Sequence, residues 1–189
     1  EQAFFTFIDT PMAVARPETE ETSGMMLVAA IPVFNESGGF IGIVYAGKLL
    51  NRDYEIVDNV KQTVFQGAVY KGKDIGTATI FQHDVRISTN VSNLDGTRAI
   101  GTRIAADVYE QVIVQGKQWV GRAYVVNNWY ISAYEPIWNT ENEIIGILYV
   151  GILEQKYTDI NNRAVLVFSG ITLSGVLLAI SFALLTSRS

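Results

Sequence analysis

The feature that most constrains this chain is an apolar run near its C-terminus, which extends from Ala164 to Thr186 without a charged side chain. A helix rises about 1.5 Å per residue, so this run spans about 34 Å and can cross the hydrocarbon core of a bilayer. A buried helix of a soluble protein seldom continues this far without one charge. The sequence therefore predicts a single transmembrane helix at about residues 164–186.

Arginines flank both ends of the predicted span, Arg163 on one side and Arg188 on the other. Counting positive charges therefore does not orient the helix across the membrane. Gly170, Ser174 and Leu178 share one helical face, and small residues on a face allow two helices to approach closely. We therefore expect a homodimer that associates through helices near the membrane.

An internal repeat is the second constraint. The segment 31–54, IPVFNESGGFIGIVYAGKLLNRDY, repeats the pattern of the segment that begins at Glu135. A repeat of this length has the size of a small domain and not of a solenoid unit, so it predicts two related modules in tandem. The matched positions, all 104 residues apart, are Pro32 with Pro136, Phe34 with Trp138, Asn35 with Asn139, Ile41 with Ile145, Gly42 with Gly146, Ile43 with Ile147, Tyr45 with Tyr149 and Gly47 with Gly151.

The repeat also predicts the domain boundaries. Residues 1–50 are expected to be the C-terminal part of a truncated distal module, since the chain begins at Glu1 without a methionine or a signal peptide. Residues 51–67 are expected to form a linking helix, and residues 68–157 a complete proximal module. Residues 158–189 are expected to continue as a helix into the membrane span.

Hydrophobic periodicity predicts the elements of both modules. In the first, strands are predicted at 25–33 and 40–49, followed by a helix at about 51–66. The second reads as two strands, a helix with Thr102 as its candidate N-cap, and a three-stranded antiparallel meander. This order predicts an α+β fold, a PAS-like antiparallel sheet with flanking helices. The predicted elements of the second module are strands 78–82 and 85–88, helix 104–115, and strands 119–126, 129–137 and 144–152.

Residues 101–151 carry motifs that resemble those of a Cache domain. Cache domains are the extracytoplasmic, PAS-like sensors of bacterial chemoreceptors and sensor histidine kinases. With the partial copy upstream, the chain is similar to the tandem Cache 3/Cache 2 fusion. The resemblance implies periplasmic modules on an inner-membrane helix, with Arg188 on the cytoplasmic side. The motifs are Gly101-Thr102-Arg103, Gly116-Lys117, Gly121-Arg122, Tyr130, Ala133-Tyr134-Glu135-Pro136, Gly146 and Tyr149-Val150-Gly151.

Composition and motifs argue against several other functions. The chain has no cysteine, which excludes disulfides, thiolate metal sites and covalent haem attachment. Its net charge is −5 and its basic residues do not cluster, which disfavours nucleic-acid binding. His83 is the only histidine, and no HExxH, GxSxG or phosphate-loop motif is present. We therefore predict no cofactor, metal site, catalytic residue or enzymatic activity for this chain, although a longer protein could carry a histidine kinase.

Ligand binding has better support than catalysis. The resemblance implies that a ligand lies between the central sheet and its covering helix and loops. Tyrosine and tryptophan supply an apolar wall with a polar tip, and arginine can bind a carboxylate through two hydrogen bonds. A small organic acid or amino acid would fit such a set, although each residue could instead belong to the sheet core or to a rim ion pair. The candidates are Arg86, Arg103, Lys117, Trp119, Arg122, Tyr124, Tyr130 and Tyr134.

These features together predict the ligand-sensing region of a bacterial transmembrane receptor, either a chemoreceptor or a sensor histidine kinase. Two alternatives remain open: a membrane-anchored binding or scaffold protein without signalling output, and a periplasmic enzyme. A charged amphipathic linker after Ser189 would favour signalling, whereas a stop codon there would favour an anchor.

Overall fold

The computed structural model describes residues 2–187, so Arg188 and its predicted cytoplasmic position lie outside the described residues. The chain divides into two compact units, Glu1–Ile152 and Leu153–Ser189. The first unit holds the β-strands and two short helices, and the second consists of one long helix.

The first unit is built mainly from antiparallel strands. Its second helix is α-helical over Ala106–Tyr109 and continues as a π-helical turn over Glu110–Val114. In chain order the elements are β1 (Phe5–Thr6), β2 (Glu20–Glu21), β3 (Met26–Phe34), β4 (Phe40–Leu49), α1 (Glu55–Phe65), β5 (Val69–Tyr70), β6 (Lys73–Asp74), β7 (Gly76–Gln82), β8 (Val85–Thr89), α2 (Ala106–Val114, including the π turn), β9 (Trp119–Val125), β10 (Asn128–Trp138) and β11 (Ile144–Leu153).

Five strands form one antiparallel sheet in the order β8-β7-β11-β10-β9. Two hairpins, β7–β8 and β9–β10, are therefore joined by β11, which lies between β7 and β10. Phe81 pairs with Arg86 on one side and with Ile147 on the other, and Tyr134 pairs with Trp119. Residues that pair directly across strands share a face of the sheet, so Arg86 lies on the same face as Phe81 and Ile147.

The opposite face of β7 and β8 is covered by α1 and by the chain that precedes it. Ile80 and Ile87 of the sheet pack in one buried cluster with Val57 of α1, Phe5 and Leu50. Burial stabilises each of these larger side chains by about 1.5–3 kcal/mol relative to exposure. The helix predicted to link two modules therefore also contributes to the core of this unit.

The predicted α+β class and antiparallel sheet are confirmed, but α1 begins later than predicted. The prediction of a helix from residue 51 was wrong because Asn51 and Arg52 form a turn. The side chain of Asn51 is buried and accepts a hydrogen bond from the backbone N–H of Met25 at 2.9 Å. Arg52 adopts a left-handed backbone with φ of 59°, which no helix interior allows.

The second helix also differs from the prediction of residues 104–115. It begins at Ala106, and Thr102 is not its N-cap. The hydroxyl of Thr102 accepts a hydrogen bond from Nη1 of Arg86 instead. The carbonyl of Met12 accepts the backbone N–H of Ala106 at 2.8 Å, so the N-terminal segment satisfies one of the free donors at the start of α2.

The second unit is α3, Glu154–Ser187. Its segment Glu154–Ser181 is long and apolar enough to cross a membrane, which confirms the prediction of an apolar C-terminal helix able to span a bilayer. The hydroxyls of Thr172 and Ser174 donate to backbone carbonyls one turn earlier, each at 2.9 Å. These bonds satisfy hydroxyl groups that would find no water in the hydrocarbon core of a bilayer. The homodimer stays a prediction.

β3 and β4 form a separate two-stranded antiparallel sheet. Its turn is held by Asn35, whose side-chain oxygen accepts the backbone N–H of Ser37 at 3.1 Å and of Gly39 at 2.6 Å. Most side chains of both strands are exposed. The division of the chain into a truncated distal module, a linking helix and a proximal module stays a prediction.

Candidate ligand-binding cavity

A cavity of about 440 Å³ lies in the first unit, beside the loop that leads into α2. This volume falls within the range typical of small-molecule binding sites. The chain reaches the cavity from six places in the sequence. The lining comes from the N-terminal segment 8–12, Arg86 of β8, Asn93, residues between Thr102 and Val108, residues 122–126 at the end of β9, and Trp129 and Tyr134 of β10.

Arg86 is a buried cation of the cavity whose charge no ion pair within the described chain compensates. The residue is 3% exposed, and no carboxylate among the described residues forms an ion pair with it. Its Nη1 donates to the hydroxyl of Thr102, and its guanidinium carbon lies 5.0 Å from the ring centroid of Phe81. Its Nε has no hydrogen-bond partner in the described part of the chain. Burial lowers the pKa of Arg86 below its ordinary value, which reflects the cost of holding this charge away from water.

An aromatic row continues from Arg86 across the same sheet face. The ring centroid of Tyr134 lies 6.3 Å from that of Phe81, 4.8 Å from that of Tyr149 and 5.5 Å from that of Trp119. Burial raises the pKa of Tyr134 and of Tyr149 above the ordinary value, so both hydroxyls stay neutral. The rings beside Arg86 are therefore apolar, with neutral hydroxyl tips. Two carboxylates, Asp9 and Asp107, also line the cavity, and among the described residues neither forms an ion pair with Arg86.

Two other arginines near the cavity share one carboxylate. Asp84 is buried in the turn between β7 and β8. Its Oδ2 accepts hydrogen bonds from Nε and Nη2 of Arg103 at 2.8 and 2.5 Å, and its Oδ1 accepts one from Nη1 of Arg16 at 2.9 Å. The charge of Arg103 is thus compensated within the protein, in contrast to that of Arg86.

The N-terminal segment 8–12 is fixed as one wall of the cavity. The ion pair between Arg16 and Asp84 holds the chain just beyond it. Each end of the segment is also tied to the loop before α2, so this wall is part of the folded unit and not a loose terminus. The bonds are Ile8 N–H to the carbonyl of Gly101 at 2.9 Å, Arg103 N–H to the hydroxyl of Thr10 at 3.0 Å, and Ala106 N–H to the carbonyl of Met12 at 2.8 Å.

Arg122, Tyr124 and Trp129 form an exposed border of the cavity. The guanidinium carbon of Arg122 lies 3.9 Å from the ring centroid of Trp129, and the ring of Tyr124 meets the same indole edge-on at 5.3 Å. Tyr124 and Trp129 are direct partners in the β9–β10 register, which explains their contact. A stacked guanidinium at the entrance can attract an anion while the rings keep an apolar surface.

The cavity brings together five of the predicted binding residues. Arg86, Arg103, Arg122, Tyr124 and Tyr134 line it, whereas Lys117, Trp119 and Tyr130 do not. Lys117 is exposed after α2, Trp119 packs against Tyr134, and Tyr130 is buried in the sheet. A role in ligand binding stays a prediction for all eight residues.

Sequence reasoning missed the segment 8–12 and the role of Asp84. The first 24 residues show no clear periodicity, so nothing in the pattern indicated that they cover a site. Asp84 stands beside His83 between two predicted strands, and nothing in the sequence pattern indicates that its side chain is buried. The structure places His83 on the exposed side of this turn and Asp84 on its buried side.

The antiparallel five-stranded sheet, its covering helix and the cavity beside it define a PAS-like sensor module. Residues 48–164 match the family described as single cache domain 3, and since this is more than half of the chain, the chain belongs to that family. It is therefore an extracytoplasmic sensing module of a signalling receptor. None of the curated proteins matches the sequence.

The predicted Cache resemblance is thereby confirmed. The family match begins at residue 48, so it includes only the last two residues of the β3–β4 hairpin and none of the segment 8–12. The tandem arrangement stays a prediction, and the segment 8–12 is a part of the cavity wall that lies outside the matched region.

Proposed function

We propose that this chain is the sensory region of a bacterial receptor of the inner membrane, and that its cavity binds a small carboxylate from the periplasm. The observation that carries this proposal is the buried guanidinium of Arg86, which faces the cavity without a carboxylate partner. The receptor would be non-catalytic in this region. Its output module, whether that of a chemoreceptor or of a histidine kinase, would follow α3.

The chemistry of Arg86 favours a carboxylate over a neutral ligand. A buried charge without a counter-ion costs several kcal/mol, and a ligand that supplies the opposite charge recovers much of this cost. The unpartnered Nε of Arg86 is a donor that a carboxylate oxygen can accept. The neutral hydroxyl of Tyr134 also lines the cavity and can donate to the same carboxylate. An uncharged amide of the same shape lacks the charge that Arg86 requires.

Signal transmission would proceed through β11. This strand lies in the middle of the sheet, next to β10, which carries Tyr134 of the cavity wall. β11 ends at Leu153 and α3 begins at Glu154, so no loop separates the strand from the apolar helix. A ligand shifts such a system only by its preference for one of two states, about 1.4 kcal/mol for each tenfold difference in affinity.

The test is a thermal-shift screen of the whole chain in detergent micelles. The panel pairs each carboxylate with its amide: acetate with acetamide, propionate with propionamide, and succinate with succinamide. Amino acids are included as a further class. A ligand at a hundred times its dissociation constant stabilises the folded state by about 2.7 kcal/mol, which is readily detected.

The expected result is that at least one carboxylate raises Tm, its amide does not, and Arg86→Met removes the shift. Arg122→Met, a change at the exposed border, should weaken the shift without removing it. An amide as effective as its carboxylate would contradict the assignment of Arg86 as the carboxylate-binding group. If no member of the panel shifted Tm, the cavity would not be a carboxylate site.

A further inference from the structure

The lining of the cavity carries negative charge as well as positive charge. Asp9 of the N-terminal segment and Asp107 in the first turn of α2 both line it. Neither side chain forms an ion pair or a hydrogen bond with any residue that the structure describes. A site built for a carboxylate alone would gain nothing from two unpaired carboxylates, because each repels an anionic ligand.

The two signs of charge lie at different depths. Arg86 is 3% exposed, whereas Asp9 and Asp107 are exposed. Exposed carboxylates keep their hydration while the cavity is empty, so they cost little to leave unpaired, whereas the buried guanidinium requires a counter-charge. The deep end of the cavity therefore attracts an anion, and the part of the rim formed by the segment 8–12 and α2 attracts a cation.

The balance of charges in the lining points in the same direction. Arg103 is compensated by Asp84. Apart from it, the lining holds the guanidinium groups of Arg86 and Arg122 and an equal number of carboxylates. A ligand with one charge of each sign matches such a lining, whereas a simple carboxylate would leave it with excess negative charge.

The two carboxylates belong to adjoining parts of the rim. The backbone N–H of Ala106, next to Asp107, donates to the carbonyl of Met12 at 2.8 Å, so the start of α2 is bonded to the segment that carries Asp9. One cation bound at this part of the rim is therefore attracted by both carboxylates, since Coulomb energy falls only slowly over a few ångströms.

The hydroxyl of Tyr134 lies within electrostatic reach of both poles. Burial is the main cause of its raised pKa, and the neighbouring Tyr149 adds to the rise. Of the two charged groups that act on it, Arg86 lowers this pKa and Asp107 raises it. Because such effects fade with distance, both charges are near one side chain of the cavity wall. A small ligand beside Tyr134 can therefore reach both.

We propose that the ligand of the cavity is an aminocarboxylate, whose carboxylate binds Arg86 and whose ammonium group is held at the rim by Asp107 and Asp9. This inference rests on the proposed function and adds the second charge of the ligand to it. An ammonium group has three donors and a carboxylate only acceptors, so the two form charge-assisted hydrogen bonds. α-Amino acids and ω-amino acids share this chemistry and differ in the separation of their two charges.

A structural role for Asp107 is the alternative that the test must separate. An acidic side chain in the first turn stabilises a helix through the helix dipole, whether or not a ligand is bound. Loss of that role would weaken every ligand alike, whereas loss of an ammonium-binding group has opposite effects on ligands with and without an amine. Glu110 is exposed on the same helix and does not line the cavity, so Glu110→Gln is the matched control.

The experiment measures dissociation constants by titration calorimetry on the whole chain in detergent micelles. The probes are alanine, leucine, glutamate and 4-aminobutyrate. Each is compared with the carboxylate that lacks its amine, which is propionate, 4-methylpentanoate, glutarate or butyrate. The tightest probe is also tested as its amide, which keeps the amine and loses the carboxylate charge. The first three probes against 4-aminobutyrate distinguish an α-amino from an ω-amino ligand.

At least one aminocarboxylate should bind about 10-fold or more tightly than its amine-free partner, which is the scale of one hydrogen bond to a charged group. Asp107→Asn should weaken that aminocarboxylate by about 10-fold and leave the amine-free partner unchanged or more tightly bound, because it removes a repelling charge. Asp9→Asn should act in the same direction. Glu110→Gln should change neither ligand, and Arg86→Met should remove the binding of both.

Two results would overturn this inference and leave the proposed function standing. One is an amine-free carboxylate that binds through Arg86 as tightly as its aminocarboxylate. The other is equal weakening of both ligands by Asp107→Asn, which would assign Asp107 a structural role. An amide as tight as its aminocarboxylate, or binding that survives Arg86→Met, would instead contradict the proposed function. No binding by any probe would overturn both.

Discussion

Nη1 of Arg16 lies 2.9 Å from Oδ1 of Asp84, although the two residues are 68 positions apart in the chain. Asp84 belongs to the tight turn between β7 and β8, and Arg16 follows the N-terminal segment that walls the cavity. The second oxygen of Asp84 binds Arg103. One buried carboxylate therefore fixes both the loop before α2 and the segment 8–12, and so determines the shape of the cavity.

Asp84→Asn should lower the free energy of unfolding by about 3 kcal/mol, because it leaves two arginines without their shared counter-charge. Arg16→Gln should lower the free energy of unfolding by less, since Asp84 still binds Arg103. It should also speed hydrogen exchange at the amides of Ile8 and Ala106, which tie the segment 8–12 to the loop before α2. Denaturant unfolding and exchange mass spectrometry measure the two effects. Glu18→Gln, at the exposed partner of Arg16, is the control and should change stability by less than about 0.5 kcal/mol. Unchanged stability of Asp84→Asn would contradict this account.

Arg86→Met should leave the ligand-free protein as stable as before or raise its free energy of unfolding by about 1 kcal/mol. The change removes an unpaired buried charge and fills its space with an apolar side chain. Arg103→Met is the matched control. It should lower the free energy of unfolding by about 2–3 kcal/mol, because it removes the arginine that binds Asp84 most closely. Urea unfolding of both variants without ligand measures the two changes in free energy. A loss of several kcal/mol in Arg86→Met would show that Arg86 is a structural residue.

Stability should decline as pH rises above about 10. Burial raises the pKa of Tyr134 and of Tyr149, so above the ordinary tyrosine pKa the unfolded chain loses protons that the folded protein keeps. The stabilising contribution of each hydroxyl is complete below pH 10 and is lost as pH rises toward the folded-state pKa, with a slope of about 1.4 kcal/mol per pH unit. Tyr134→Phe should flatten the slope of unfolding free energy between pH 10 and 11.5 by that amount. A slope identical to that of the unaltered protein would show that Tyr134 ionises normally in the fold.

Gly146→Ala should lower the free energy of unfolding by about 2 kcal/mol, because the added methyl group collides with the backbone of β7. Gly42→Ala in this chain should change it by less than about 0.5 kcal/mol, since the space beside Gly42 is open. Thermal unfolding of the two variants tests the difference. Equal costs would mean that the close approach of Phe81 to Gly146 does not restrict side-chain size.

The sheet could be predicted from the sequence because its strands carry strong local signals. The alternation along Tyr130, Ser132 and Tyr134 places these residues on one face, and all three are buried in the structure. The π-helical end of α2 has no such signal, since Glu110–Val114 keeps the apolar spacing of an ordinary helix. The start of α1 was missed because the turn at Asn51 depends on a tertiary hydrogen bond to Met25.

The site was only partly predictable because it also depends on contacts between residues far apart in the sequence. The sequence does not distinguish Arg86 from Arg103, since each is an isolated arginine in or next to a predicted element. Only the fold shows that Asp84 neutralises Arg103 and leaves Arg86 without a counter-charge. The wall formed by residues 8–12 depends on two backbone hydrogen bonds, one bond to the hydroxyl of Thr10 and the ion pair of Arg16 with Asp84, all between residues far apart in the sequence, which local patterns do not encode.

The most direct test of a carboxylate site at Arg86 is an NMR measurement of the arginine Nε–H groups in the intact chain. Spectra are recorded as the best carboxylate of the screen is added, and the Arg86 signal is assigned as the one that disappears in Arg86→Lys. The account predicts that this signal shifts on addition and that the amide analogue leaves it in place, because Nε gains the acceptor it lacks. If the Arg86 signal stayed fixed while that of Arg103 or Arg122 moved, the ligand would bind elsewhere and the account would be wrong.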